Sequence, residues 1–247
     1  MIILLSSSKS MQLNDIQADQ MPFFLNEAYQ LNQKLKGLSK RDVLEFFKSS
    51  ESLTEKIYED IKNWNKKFHE KKSQAAMYSF NGDAFTKLSP RSLSDKGKSN
   101  AQQWIRILSG LYGILKAMDS IQPYRLDMAQ KVEGEVLTNY WKKKITERIN
   151  LQNKNGIIIN LASKEYSSAI DRDALLGRWI DIDFYERRKN NLKMVSIFSK
   201  QARGLAARYI CDNILGEEDI ENLKRFTTAG YTYDNSLSGD NKWVFVR

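Results

Sequence analysis

The part of the chain that most restricts its fold is an almost unbroken apolar run at residues 156–163, with the sequence GIIINLAS. A strand with one face in solvent alternates apolar and polar side chains, whereas a strand covered on both faces is apolar nearly throughout. The first residues, MIILL, have the same character. Two such strands predict a sheet that helices cover, which is the arrangement of an α/β fold.

Strand and helix patterns alternate along much of the remaining chain. Apolar runs predict strands at Ile2–Leu5, Ala75–Phe80, Gly156–Leu161, Trp179–Phe184, Lys193–Phe198, Gly230–Tyr233 and Trp243–Val246. Helical periodicity predicts helices at Phe24–Leu35, Lys40–Lys48, Leu53–Lys66, Ala101–Ala117, Thr138–Leu151, Ser199–Leu215 and Glu217–Phe226. With three prolines and no low-complexity linker, the sequence predicts one mixed α/β domain over residues 1–247, a mixed β-sheet flanked by helices.

Composition excludes several kinds of site. The 247 residues contain one cysteine, Cys211, and one histidine, His69. An internal disulfide and a multi-histidine metal centre within one chain are therefore impossible. We expect Cys211 to be a buried, unreactive thiol and His69 to lie on the surface, and we predict no metal and no cofactor. Trp104, Trp141, Trp179 and Trp243 are expected in the core, and Trp64 is expected to be partly exposed.

The net charge is +9, from 39 Lys and Arg against 30 Asp and Glu. Such an excess suits a polyanionic partner such as nucleic acid, and it is equally compatible with a surface that only maintains solubility. No segment has about 18 uninterrupted apolar residues, and the apolar start lacks the basic region of a signal peptide. We therefore expect a cytoplasmic protein without a membrane partner, and the oligomeric state stays open.

A glycine-rich turn at Ser109–Gly113, with the sequence SGLYG, separates two segments with a helical pattern. Backbone N–H groups in such a turn can point at a phosphate, as they do in a helix-hairpin-helix element. The same pattern also fits a packed corner between two helices, and the local sequence does not decide between them. The first interpretation assigns Ser109, Gly110, Tyr112 and Gly113 to nucleic-acid contacts and Lys116 to phosphate neutralisation.

A basic stretch at residues 187–208 contains seven Lys or Arg and no acidic residue. In a helix over Ser199–Leu215, Lys200 and Arg208 lie opposite the apolar side, and Arg203 lies at its edge. A solvated helix face is the ordinary outcome of such a pattern. Because arginine can hold a phosphate through two parallel hydrogen bonds, a DNA contact through these three residues is the alternative.

Hydroxyl side chains surround Lys9 directly after the first predicted strand, in the sequence SSSKS. A lysine at the carboxyl edge of a buried strand is well placed to meet an anion or an electrophile, although it can also be an ordinary surface lysine. Asp83 follows Gly82 and is either an acid in a cleft or a turn-forming aspartate.

Six short motifs resemble those of the YaaA peroxide-stress protein family, in the same order. They are LLSSSKSM at 4–11, FNGDAF at 80–85, LSGLYGIL at 108–115, QPYRLDM at 122–128, NLASKEY at 160–166 and KQARGL at 200–205. The chain departs from the family pattern at Ser7, where the family carries proline, and at Asn81, where it carries lysine. The first change makes the turn after the opening strand less rigid, and the second removes one positive charge from the expected cleft.

The resemblance implies a bacterial cytoplasmic protein whose mixed α/β fold surrounds a basic cleft. It further implies binding to duplex DNA and a role in limiting oxidative damage, linked to lower free iron inside the cell. On this hypothesis the protein binds DNA without reading bases, and the phosphate contacts include Lys9, Lys116, Arg125, Lys200, Arg203 and Arg208. Direct iron storage is disfavoured by the single histidine and single cysteine.

An enzyme acting on a nucleobase, a nucleoside or a related small molecule is the alternative. In a glycosylase or lyase of this kind a lysine attacks a sugar carbon while a carboxylate assists. Lys9 and Asp83 are the candidates for these two roles, with Asn160, Ser163 and Tyr166 shaping the pocket.

Overall fold

The computed structural model describes residues 1–18, 20–67, 74–189 and 191–247, so that His69 lies outside the described residues. The described α-helices are α1 (Leu25–Lys36), α2 (Lys40–Phe47), α3 (Glu51–Asn63), α4 (Ala76–Ser79), α5 (Asp83–Leu88), α6 (Asp95–Trp104), α7 (Leu137–Gln152), α8 (Lys164–Ser167) and α9 (Ser196–Asn213). The described strands are β1 (Ile2–Ser6), β2 (Gln74–Ala75), β3 (Ile105–Ser109), β4 (Gly113–Lys116), β5 (Ser120–Ile121), β6 (Lys131–Val132), β7 (Glu135–Val136), β8 (Ile157–Asn160), β9 (Arg178–Arg188), β10 (Asn191–Lys193), β11 (Thr232–Tyr233) and β12 (Lys242–Val246). Segments of 3₁₀ helix lie at Pro90–Ser92, Glu217–Arg225, Thr228–Gly230 and Asn235–Leu237.

A mixed sheet forms the centre of the molecule. Its strand order is β11-β12-β9-β8-β1-β3-β4, and β10 pairs with β9. The five central strands β12, β9, β8, β1 and β3 run parallel, whereas β11, β4 and β10 pair antiparallel at the margins. The carboxyl ends of the parallel strands therefore meet along one edge of the sheet.

Helices flank this sheet, as the sequence predicts. Residues Ile2–Leu5 of β1 are at most 2% exposed, which confirms a strand covered on both faces. α9 packs on β9, α6 packs on β1 and β3, and α7 packs on β4. The mixed α/β prediction is confirmed.

The predicted helix over Ala101–Ala117 is wrong beyond its first turn. α6 ends at Trp104, and the chain continues as β3, a tight turn and β4, which pair antiparallel from Arg106 opposite Lys116 to Ser109 opposite Gly113. Every residue of β3 is buried. A short apolar run buried on both faces has the same pattern as a buried helix segment, and this ambiguity produced the wrong assignment.

The glycine turn is consequently a β-hairpin loop and not a helix-hairpin-helix. Gly113 has φ of +69°, the left-handed conformation that such a hairpin loop requires at its last position. A Cβ on Gly110 would lie 2.2 Å from the carbonyl oxygen of Leu126. Both positions thus require glycine for packing and backbone geometry.

Three smaller predictions also change. The strand predicted at Ala75–Phe80 is the two-residue β2 followed by the single-turn α4, and the strand predicted at Lys193–Phe198 ends at Lys193, because α9 begins at Ser196. Trp64 is only 1% exposed, and its Nε1 donates to the Tyr112 hydroxyl at 2.9 Å. The burial of Cys211 and of the other four tryptophans is confirmed.

Candidate functional site

Polar side chains gather where β1 and β8 end. Ser6 is the last residue of β1, and Ser163 follows the end of β8 by three positions. The Ser163 backbone N–H donates to Ser6 Oγ at 2.9 Å, and Ser6 Oγ in turn donates to Ser163 Oγ at 3.3 Å. The carboxyl edge of a parallel sheet is where ligands of α/β proteins usually bind, and these bonds join the two loops that form it.

A chain of hydrogen bonds connects Ser7 to Lys9 through the same edge. Ser7 Oγ donates to the Tyr166 hydroxyl at 3.3 Å, which donates to Asp127 Oδ1 at 3.4 Å. Asp127 Oδ2 lies 3.0 Å from Lys9 Nζ. Burial raises the pKa of Tyr166 far above its usual range and raises that of Tyr124 to about 12. Both phenols are therefore neutral near pH 7 and can donate a hydrogen bond.

Two basic side chains reach this edge from α9. They are Lys200 and Arg203. The helix α9 lies very close to α5 at Gly204, where a Cβ would come within 1.9 Å of the Ala84 carbonyl oxygen. That close approach places Asp83, the first residue of α5, in the same cavity as the two cations. The sequence motif KQARGL thus combines the cations with the small residue that allows the helices to meet.

Arg203 is the most unusual member of the site. Its Nε is buried and has no hydrogen-bond partner, and no ion pair of Arg203 occurs among the described residues. Burial lowers the pKa of the guanidinium, and the nearby Asp183 carboxylate opposes that effect. A guanidinium remains charged near pH 7, so Arg203 presents to the cavity a positive charge that no hydrogen bond or ion pair among the described residues compensates.

Three adjoining cavities form what we call the sheet-edge cleft. The central cavity, of about 300 Å³, is lined by residues that include Ser6–Ser10, Asp83, Asp127, Ser163, Tyr166, Lys200 and Arg203. The α3-side cavity, of about 530 Å³, shares Lys9 and Ser10 with it, and the β9-side cavity, of about 550 Å³, shares Ser163, Lys200 and Arg203. These shared walls make the cleft elongated, with the central cavity between the other two.

The charge of the sheet-edge cleft is mixed, with a small positive excess, so a uniformly basic cleft is not confirmed. Its basic residues are Lys9, Lys56, Arg125, Lys164, Arg172, Lys200, Arg203 and Lys242, and its acidic residues are Asp60, Asp83, Asp127, Glu165, Asp181 and Asp183. Three of the cations are held in ion pairs, Lys9 with Asp127, Arg172 with Asp181 and Lys242 with Asp183. The other five basic residues form no ion pair within the described parts of the chain.

Most of the predicted polar site residues do converge. Lys9, Asp83, Ser163, Tyr166, Lys200 and Arg203 line the central cavity, Arg125 lines the α3-side cavity and Asn160 lines the β9-side cavity. Asn160 is mainly structural, because its amide donates to Asp181 at 2.8 Å and its oxygen accepts the Ala162 N–H.

The remaining predicted nucleic-acid contacts lie elsewhere. Ser109, Gly110, Tyr112 and Gly113 are fully buried, so the hairpin loop presents no N–H group to a duplex. Lys116 ends β4 at the amino-terminal end of β3 and lines a separate cavity that shares no residue with the cleft.

Arg208 does not line the cleft either, because its guanidinium is used within the protein. It donates to the carbonyl oxygens of Leu88, Ser89 and Ser92 and to the Ser92 hydroxyl, at 2.6–3.2 Å. These acceptors lie at the end of α5 and in the connection to α6. Arg208 therefore stabilises that connection.

The two departures from the family pattern have different surroundings. The Ser7 N–H donates to the Leu108 carbonyl at 2.9 Å, a bond that proline could not make, and its hydroxyl joins the Tyr166 network. Asn81 is exposed and lines none of the three cavities of the cleft. The charge lost at position 81 is therefore lost outside the cleft.

Sequence reasoning missed the charged residues of the β9 side. Asp181 and Asp183 alternate along β9 and meet Arg172 and Lys242 at the cleft. The sequence signal for these two acids was their alternation with apolar residues within the predicted strand, which places both of them on one face of the sheet. Lys242, the basic partner of Asp183, comes from β12, a distant part of the chain that local sequence pattern does not connect with β9.

Within the described residues, no three His, Cys, Asp or Glu side chains lie together in a way that could hold a metal ion. None of the helices described is long and apolar enough to cross a membrane.

Comparison with known proteins gives a single consistent result. Residues 1–237 match the model of the family described as peroxide stress protein YaaA. The chain is 36% identical over 256 residues to a UPF0246 protein of Francisella tularensis subsp. novicida, and 37% identical to one of Francisella philomiragia. Each alignment covers 100% of both chains.

Proposed function

The chain belongs to the YaaA peroxide stress protein family, and from this premise we propose that it binds duplex DNA in the sheet-edge cleft without reading bases. In this proposal it acts in the cytoplasm and limits oxidative damage by occupying DNA. Its influence on free iron is indirect, because the sequence offers only one imidazole and one thiolate as iron ligands.

The uncompensated guanidinium of Arg203 is the observation that supports the proposal best. Leaving a buried donor without a partner destabilises a protein, so a ligand that supplies the acceptor gains affinity at that point. A phosphate oxygen is such an acceptor, and its charge matches that of Arg203. Lys200, which is exposed three residues earlier on α9, lines the same two cavities and adds a second cation.

The elongated form of the cleft favours a polyanion over a single small anion. Unpaired cations occur in all three cavities, with Lys56 and Arg125 in the α3-side cavity, Lys200 and Arg203 at the centre and Lys164 on the β9 side. A DNA strand presents a charge at every nucleotide, and a protein that contacts only the backbone binds all sequences alike.

Lys9 and Asp83 line the same cavity, which supports the enzyme alternative. The Lys9 amine, however, pairs with Asp127, and no ion pair or hydrogen bond joins it to Asp83 among the contacts described. We therefore keep DNA binding as the proposal and use the enzyme hypothesis as an outcome to be tested.

The proposal is tested by comparing Lys200→Gln/Arg203→Gln with Lys142→Gln/Lys143→Gln, which removes two exposed lysines of α7 outside the cleft. Fluorescence anisotropy with several unrelated duplexes measures the affinity of each protein. We expect the cleft variant to bind every duplex at least about tenfold more weakly, and the control to lose far less. Equal losses in the two variants would show that only the overall charge matters.

Borohydride trapping with abasic and damaged-base duplexes tests the alternative. Under our proposal no covalent adduct forms with the unmodified chain. An adduct that forms with the unmodified chain and disappears in Lys9→Ala would show that Lys9 forms an imine with the sugar, and it would favour the lyase-like enzyme over a protein that only binds DNA.

A further inference from the structure

A second concentration of positive charge lies away from the sheet-edge cleft, beside α7. We call it the α7 arginine cluster, and it consists of Arg106, Lys116 and Arg148 with one carboxylate, Asp119. These four side chains line a cavity of about 80 Å³ that shares no residue with the cleft. Arg106 and Lys116 face each other in the β3–β4 ladder, and Arg148 reaches the same cavity from α7.

Arg106 is held rigidly in this cluster. It is only 7% exposed, its Nε donates to Gln152 Oε1 at 2.9 Å, and its Nη1 donates to the carbonyl oxygens of Ile105 and Gln103. Its Nη2 has no hydrogen-bond partner among the described residues. One edge of a fixed guanidinium thus retains unused donors.

Arg148 has no hydrogen-bond partner for its guanidinium in the described structure. Its Nε is buried and unsatisfied, and the planar group lies over the Phe23 ring, 3.7 Å from the ring centroid. An aromatic ring attracts the positive charge but accepts none of the N–H bonds in the guanidinium plane. Those donors therefore stay available to an anion in the cavity that Arg148 lines.

The cluster carries more positive than negative charge. Asp119 is buried and uses Oδ2 to accept the Lys116 backbone N–H at 2.8 Å. Its single charge favours the charged forms of both arginines, and Lys116 adds a third cation that forms no ion pair among the described residues. Among the described residues that line this cavity, three cations and one carboxylate leave an excess of two positive charges.

We propose that the α7 arginine cluster binds a small divalent oxyanion, of the chemical class of inorganic phosphate or sulfate. Such an ion matches the excess charge and offers acceptors to the unused N–H groups of both arginines. The cavity is the smallest of those named here, about 80 Å³, which suits an ion of a few heavy atoms.

Calorimetric titration of the full chain with inorganic phosphate, and separately with sulfate, tests this site at an ionic strength held constant with chloride. We expect both ions to bind. Arg148→Gln and Lys116→Gln each weaken binding by about tenfold, the size expected for one charge-assisted hydrogen bond. Lys143→Gln, on the exposed side of α7, leaves this binding unchanged.

Thermal unfolding in chloride shows first whether each variant folds, and Arg148→Lys replaces Arg148→Gln if the latter does not. Arg148→Lys keeps the charge but loses the planar donors, so we expect its affinity for phosphate to lie between those of the parent chain and Arg148→Gln. Phosphate raises the Tm of the parent chain and raises that of Arg148→Gln much less.

Four results would overturn the proposal. The first is an absence of phosphate or sulfate binding by the parent chain, and the second is equal affinity in Arg148→Gln and the parent. The third is a loss of duplex binding in Arg148→Gln that parallels its loss of phosphate, which would assign the cluster to the DNA interface. Loss of phosphate binding in Arg203→Gln alone would assign the ion to the cleft instead.

Discussion

The guanidinium of Arg203 is mostly covered by protein, while its Nε lacks a partner. Replacing such a group by a neutral amide removes the cost of holding an unpaired charge away from water. We therefore expect Arg203→Gln to unfold at the same urea concentration as the parent, or at a slightly higher one, while its affinity for duplex DNA falls several-fold. Urea unfolding and fluorescence anisotropy on the same samples measure the two effects. A variant that is much less stable yet binds DNA normally would show that Arg203 is a structural residue.

Arg208 is expected to behave in the opposite way. Its four hydrogen bonds hold the end of α5 and the connection to α6. Arg208→Gln leaves several of these acceptors unsatisfied, which costs about 1–3 kcal/mol of unfolding free energy. The salt dependence of DNA affinity should not change. A reduced salt dependence at unchanged stability would return Arg208 to the DNA interface.

A substitution of Lys116 distinguishes the two proposed anion sites, because this residue lines only one of them. It lies in the α7 arginine cluster and not in the sheet-edge cleft. We expect Lys116→Ala to bind duplex DNA with the parent's affinity and salt dependence, measured by anisotropy. A salt slope smaller by about 1 would mean that this lysine does contact a phosphate.

Among the structural elements, the β3–β4 hairpin depends most on its glycines. Gly113 and Gly134 both have positive φ, but a Cβ on Gly113 would lie 2.7 Å from the Trp141 ring, whereas a Cβ on Gly134 would meet nothing within 4 Å. Gly134→Ala therefore reports backbone strain alone, about 1 kcal/mol. We expect Gly113→Ala to lose clearly more unfolding free energy, because strain and overpacking add. Equal losses in chemical denaturation would show that the hairpin relaxes around the new methyl group.

Periodicity was informative where an element is long and has one solvent face. The helices α1, α2, α3, α7 and α9 begin and end within three residues of their predicted bounds. It failed at β3, where burial on both faces removes the alternation that marks a strand. It also missed α5, whose six residues are too few to show a helical period.

The candidate site was only partly predictable for a different reason. Lys9, Ser163 and Tyr166 belong to motifs that follow strands, so the topology of a parallel sheet brings them to one edge. The pairs Lys9–Asp127 and Lys242–Asp183 join residues far apart in sequence. Which charges remain free depends on those pairs, and neither composition nor local pattern contains that information.

At the scale of the whole molecule, buried tyrosines link stability to alkaline pH. Burial raises the pKa of Tyr124 from the usual tyrosine value of about 10 to about 12, and it raises the pKa values of Tyr112 and Tyr166 further. The folded state then keeps protons that the unfolded chain has released. The free energy of unfolding is therefore unaffected by these tyrosines below about pH 10. Above that pH it falls by about 1.4 kcal/mol per pH unit for each such tyrosine, until the pKa of that tyrosine in the folded state is reached. Urea unfolding at a series of pH values measures the slope, and Tyr124→Phe should make it shallower.

The central claim concerns the whole cleft, whose five unpaired cations are proposed to contact DNA phosphates. Its most direct test is the affinity for unrelated duplexes, measured by anisotropy between about 50 mM and 200 mM salt. Five phosphate contacts predict a slope of log affinity against log salt of about −4 to −5, the same for every sequence. Lys200→Gln/Arg203→Gln should reduce the magnitude of that slope by about 2. A slope near zero, or one that the cleft variant leaves unchanged, would contradict DNA binding in the sheet-edge cleft.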